Sequence, residues 1–200
     1  MTRVLTYVGI FLVAMATLML EVLLTRITSV SAWYHLAFFV ISLGMLGMTA
    51  GAVLVFAAPK LFAKDQVAAR LAQSAWGFAA ATPICVGLAL STPLAPVTDL
   101  MTFFALLGSG GAMAVPFILA GTTLALALTR AGLPASIAYG FDLTGAAFGC
   151  VAIIPLLDVL DAPSGALAAA CVGALGAAAF GFASGRLRWT AILTTGVLGI

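Results

Sequence analysis

The sequence predicts an all-α, polytopic helical membrane bundle with six complete spans plus the start of a seventh. Three observations carry that expectation. Hydrophobic residues make up 64% of the chain and charged residues 7%, with a mean hydropathy of +1.26. A soluble domain carries about 25% charged residues, so a soluble chain of this composition would have no solvated surface. The apolar runs are also about 20 residues or longer, the length at which a helix crosses the hydrocarbon core, whereas a β-barrel shows alternating segments of about ten. Lastly, most of the charge falls in short breaks between the runs, beside Pro and Gly.

Span one covers about 4–24. Arg3 followed by an apolar run resembles a signal peptide, but no A-x-A-like cleavage site follows and Glu21 comes next, so an uncleaved span is expected. Span two covers about 32–58 and ends at Pro59-Lys60; the basic loop KLFAKDQVAAR follows, with Lys60, Lys64 and Arg70. Span three covers about 71–90, and the linker STPLAPVTD, with Pro93 and Pro96, is turn-rich. Span four covers about 100–128. It contains Gly108-Ser109-Gly110-Gly111 and then Pro116, which removes a helical hydrogen bond and clashes with the carbonyl of Ala112, so a kink is expected. A broken helix lining a substrate site is the functional version of that feature. Arg130, Gly132 and Pro134 mark the next loop. Span five covers about 136–157; Asp158, Asp161 and Pro163 mark a short acidic loop; span six covers about 164–183; and Arg186 and Arg188 precede an incomplete run, 189–200. At 1.5 Å per residue that last run reaches about 18 Å against a core of about 30 Å, so these residues are expected to be the N-terminal part of a longer protein.

The basic residues predict orientation. With a cytoplasmic N-terminus, Arg3, Lys60, Lys64, Arg70, Arg130, Arg186 and Arg188 all fall inside, and Asp99, Asp158 and Asp161 fall outside. Arg26 is the exception, and a partner such as Glu21 is the physical reason expected for it.

Few residues offer chemistry. Glu21 and Arg26 lie near the outer end of span one, five residues and about 140° apart on an ideal helix, so they share a face only if the helix unwinds. They are read either as a polar corner fixing spans one and two or as a polar site open to the outer face. His35 starts span two beside Trp33 and Tyr34, whose rings suit the membrane interface. His35 can titrate or bind a ligand, or simply hydrogen-bond Glu21. No metal site is expected, because a single histidine has no fellow ligands. Tyr139, Asp142, Gly145 and Gly149 recur on roughly one stripe of span five. Asp142 there is a candidate for a cation, a polar substrate or an interhelical hydrogen bond, too far from Glu21 and His35 to meet them. Gly47-x-x-x-Gly51, Gly145-x-x-x-Gly149 and Gly181-x-x-x-Gly185 present small faces for helix packing, within the chain or in a homo-oligomer. Cys85, Cys150 and Cys171 all lie in apolar runs and read as small hydrophobes. There is no nucleophile–base pair, no phosphate-cradling loop between strand and helix, and no nucleic-acid surface.

LEVLLTR at 20–26, followed by WYHLAFFVISLGMLGMTAGA at 33–52, resembles the N-terminal membrane region of the bacterial spermidine synthase-like proteins. YGFDLTGAAFG at 139–149 looks like a second stretch of that family, of the form Y-x-x-D-L-x-G-A-A-x-G. The likeness implies a plasma-membrane domain preceding a soluble aminopropyltransferase-like domain, with decarboxylated S-adenosylmethionine as co-substrate of that domain and no cofactor in the membrane region. The family's catalytic motifs are absent here, so the likeness carries over no catalytic residue. Expected partners are the lipid bilayer, the chain's own C-terminal soluble domain and a second copy of the chain. Two other readings stay open: a transporter or small-molecule-binding membrane protein using Glu21 and Asp142, and a structural subunit of a membrane complex.

Overall fold

The computed structural model describes residues 3–31, 36–63, 66–91 and 100–183. Trp33, Tyr34, His35, Lys64, Pro93, Pro96, Asp99, Gly185, Arg186, Arg188 and the run from Trp189 onward lie outside the described residues. The described chain forms six helices: α1 (Arg3–Ser31), α2 (Leu36–Ala57), α3 (Val67–Ser91), α4 (Leu100–Arg130), α5 (Ala135–Val159) and α6 (Ala162–Ala183). All six are long and apolar enough to cross a membrane.

Helix ends depart from the hydropathy boundaries for local reasons. The α1 helix continues past Leu24 to Ser31. Nothing in RITSVS breaks a helix, and its hydroxyls fold back onto the turn behind them: Thr25 donates to the Val22 carbonyl at 2.8 Å, Thr28 to Leu24, and Ser29 to Arg26 at 2.9 Å. At 1.5 Å per residue α1 is about 43 Å long, enough to reach through the headgroups as well as the core. The α3 helix begins at Val67, which places Arg70 on its first turn instead of in the loop. The α4 helix runs unbroken through Gly108–Gly111 and Pro116, so the expected interruption is the loss of one hydrogen bond and not a gap in the helix. Asp161 ends the α5–α6 turn as the N-cap of α6: the Ser164 N–H donates to Asp161 Oδ1 at 3.3 Å, and the Gly165 N–H to its carbonyl at 2.9 Å.

The helices are apolar all round, so small residues decide which faces meet. The chief pairs are α2 with α4, α1 with α5 and α6, and α3 with α6 and α4, with a lighter α1–α2 contact. Thus α1, α6, α3, α4 and α2 follow one another round a closed bundle, and α5 docks on the outside of α1. The register is parallel for α1–α5, where Gly145 meets Phe11 and Gly149 meets Met15, and for α2–α4. It is antiparallel for α1–α6, where Gly176 meets Val13 and Gly9 meets Phe180. Ile10, Val13, Leu20, Leu23, Leu24, Phe78, Phe117 and Phe180 are fully buried.

Candidate functional site

The glycine pairs 47/51 and 145/149 lie at helix crossings, whereas Gly108 and Gly111 face open space. A Cβ on Gly51 would meet the Ile118 carbonyl and the Thr122 nitrogen of α4, and one on Gly47 would lie 2.6 Å from Phe117 Cβ. From the other side of the same crossing, Gly121 lies against the Met48 backbone. Gly145 and Gly149 sit against the carbonyls of Phe11 and Met15. Without a hydrophobic drive in lipid, this backbone proximity is what holds helices together. Both faces are filled by helices of the same chain, so a second copy would have to use other surfaces. Around α6 the glycines make room for side chains instead: Gly9 for the Phe180 ring, Gly173 for the Phe78 ring and Gly176 for the Val13 side chain. Only the first two glycine pairs carry the four-residue spacing that sequence reading detects.

The two carboxylates within spans occupy separate places. Glu21 is half-buried and faces α2, with a Cβ at Gly44 falling 3.4 Å from its Cδ and Oε1. Asp142 is half-buried on the stripe Ala138, Asp142, Gly145, Gly149 and Ile153, of which the other four are buried. Tyr139 is 53% exposed and lies off that stripe. The register of α5 on α1 puts Asp142 roughly 20 Å from the level of Glu21, about 13 residues of rise, so the two do not form one site. Neither side chain has a hydrogen-bond or ionic partner among the described residues.

Arg26 is exposed and does not pair with Glu21, because α1 stays helical between them and holds them on different faces. Instead it lines a cleft of about 360 Å³ with Leu23, Ile27 and Val30 of α1, Leu90 of α3, Leu157 of α5, and the α5–α6 turn Leu160-Asp161-Ala162. Asp161 is a solvated turn residue, as the sequence suggests, and among the described residues it is the acid that lines this cleft with Arg26. Hydrogen bonds from the Ser164 hydroxyl and N–H hold its carboxyl below the usual carboxylate range. The sequence signal for Asp161 was local, an Asp three residues before a Ser at a helix start; its approach to a residue far earlier in the chain has none.

The chain matches no protein-family model, no curated protein and no solved structure.

At the other end of the bundle two arginines act as structural donors. Arg130, the last residue of α4, donates from its two terminal nitrogens to the Phe62 carbonyl at 2.8 Å and the Val55 carbonyl at 3.0 Å. In a continuing helix the Val55 carbonyl would accept from residue 59, but Pro59 has no N–H, and Arg130 supplies the donor. Arg70 Nε donates to the Leu61 carbonyl at 3.1 Å. The loop between α2 and α3 is therefore pinned by basic side chains whose sequence reading was topological only. In the core, Thr123 donates to the Ser74 hydroxyl at 2.8 Å across α4 and α3. Among the described residues no group of three His, Cys, Asp or Glu is placed to hold a metal ion. His35 lies outside them.

Proposed function

We propose that this chain is the membrane-integral domain of a spermidine synthase-like protein, anchoring an aminopropyltransferase-like domain at a bacterial plasma membrane. The observation that supports this is where the residues of the resemblance sit. Gly44, Gly47 and Gly51 from the first stretch, and Gly145 and Gly149 from the second, are all at crossings between helices of one bundle. Residues of that kind maintain a scaffold, and a scaffold is what an anchoring domain has to be. The transfer chemistry, from decarboxylated S-adenosylmethionine to putrescine, would belong to the soluble domain. A cytoplasmic N-terminus is supported by Arg3, Lys60, Arg70 and Arg130, which alternating helices bring to one end. The test is to express the full open reading frame. A strand, a Gly-rich turn and a helix are expected beyond residue 200, with aminopropyl transfer in the membrane fraction. A stop codon one span later, or membranes of the full protein without transfer, overturns the reading.

Glu21 and Asp142 favour a second reading, a transporter or small-molecule-binding protein. Carboxylates within spans are costly and mark ion or substrate routes, and these two have no partner among the described residues. Liposomes containing residues 1–200 alone would then take up labelled putrescine, with loss of uptake in Asp142→Asn.

A further inference from the structure

The Arg26 cleft has a chemistry of its own, independent of the anchoring reading. We propose that it holds the headgroup of an aminophospholipid, with the lipid phosphate on the Arg26 guanidinium and the primary ammonium on the Asp161 carboxylate.

The cleft presents one cation and one anion on different elements, Arg26 on α1 and Asp161 between α5 and α6, with apolar side chains around them. The two line the same space without pairing, and the Arg26 side chain uses none of its five donors on a described residue. A guanidinium presents a planar fork that matches two phosphate oxygens. Asp161 Oδ1 already accepts from Ser164, and a carboxylate has about four acceptor positions, so room remains for an ammonium. The complement of such a pair is a zwitterion. A net-anionic headgroup would meet the Asp161 charge uncompensated, and a quaternary ammonium has no N–H to donate to it.

Depth and size agree with a lipid. Asp161 lies in the turn between two spans, where headgroups lie, and Arg26 lies at the same end of the bundle, one turn inside the end of the Arg3–Val30 span. A guanidinium at that depth reaches the headgroups by extending its side chain along the helix. At about 360 Å³ the cleft is at the small end of the range for ligand sites, the scale of a headgroup and not of acyl chains. Leu23, Ile27, Leu90 and Leu157 give the glycerol and first methylenes an apolar wall, which a free phosphate compound would not use. The chains would continue over the lipid-facing sides of the helices.

Native mass spectrometry of the delipidated full chain tests this, with phosphatidylethanolamine, phosphatidylcholine and phosphatidylglycerol added in equal amounts. Phosphatidylethanolamine is expected to dominate the adducts. Arg26→Gln and Asp161→Asn are each expected to weaken it about tenfold, the loss of one charge-assisted hydrogen bond. Asn caps a helix nearly as well as Asp, so Asp161→Asn should stay folded with at most a small drop in melting temperature, and its loss of lipid cannot be charged to unfolding. Equal binding of the three lipids, preference for phosphatidylglycerol, or full retention in Asp161→Asn overturns the proposal. So does displacement by soluble phosphoethanolamine at the same concentration, which would make the ligand a free metabolite, or a lipid-free dimer, which would make a second copy the occupant.

Discussion

Glycines of one helix can be told apart by what surrounds them. Gly145 has the Phe11 carbonyl where its Cβ would be, whereas Gly140, five residues earlier, faces open space. Gly145→Ala must push one backbone off another and should cost about 1–3 kcal/mol. Gly140→Ala meets nothing and should gain up to about 1 kcal/mol from helix propensity. Melting in detergent, followed by circular dichroism, should move in opposite directions for the two; a shared direction would contradict the α1–α5 crossing. Asp161 gives a pH-dependent expectation. Its carboxyl is held below the usual range in the folded chain by the Ser164 hydrogen bonds. A depressed folded value means a stabilisation complete above the unfolded value, about 3.9, and lost as pH falls through the folded value. The wild-type melting temperature minus that of Asp161→Ala should therefore be constant from pH 8 to pH 5 and shrink only in stronger acid. A difference that shrinks near pH 6 would assign the cap to another group.

Among the elements, the α2–α3 connection depends on a residue from a third helix. Pro59 ends α2 and leaves the Val55 carbonyl without its usual donor; Arg130 closes that gap and holds Phe62 with its other nitrogen. Lysine has the charge but not the fork, so Arg130→Lys should lose one of two charge-assisted bonds, about 1.5–3 kcal/mol. Hydrogen exchange at the Leu61 and Phe62 amides, which bond to Ala58 and Pro59, should rise more than exchange at α6. A uniform rise would indicate global destabilisation and not a local clamp. Elements also show how far sequence reading reaches. Six spans were legible because hydropathy over about 20 residues is a strong signal. Helix ends were not, because a fall in hydropathy does not mark where the hydrogen bonds stop: the residues from Arg26 to Ser31, beyond the expected end of span one, are still helical. The glycine faces at 47/51 and 145/149 were legible from spacing, but their partners were not, since helices apolar all round carry no mark of which neighbour they meet. Asp142 was placed correctly on the glycine stripe, and Tyr139 was not, because the stripe passes through Ala138. Asp161 is exposed in the α5–α6 turn, as the sequence suggests, but its place beside Arg26 is made by tertiary packing alone and leaves no mark in the sequence.

For the molecule as a whole, the helices are unequally committed. The α6 helix is wedged between α1 and α3, while α5 has one substantial neighbour, α1, and turns most of its surface, including Phe148, Val151 and Ile154, outward. Replacing both Gly145 and Gly149 by Val should release α5 and leave the other five helices together. Proteolysis within 131–134 should then accelerate about tenfold or more, since cleavage of an opened segment tracks a stability loss of at least 1.4 kcal/mol. The Thr123–Ser74 contact, probed by cysteine cross-linking, should persist. Loss of that cross-link would mean that α5 supports the whole bundle.

The hub position of α1 also has a consequence for biosynthesis. Of the six described helices this one leaves the ribosome first, yet its main partners, α5 and α6, leave last. At about 5–20 residues per second, roughly ten seconds separate the completion of α1 from the emergence of α5. During that interval the backbone at Phe11 and Met15, and Gly9 beside them, have no mate. Newly made α1 must therefore wait beside the insertion machinery, or shelter against a chaperone of the membrane, until the end of the bundle is made.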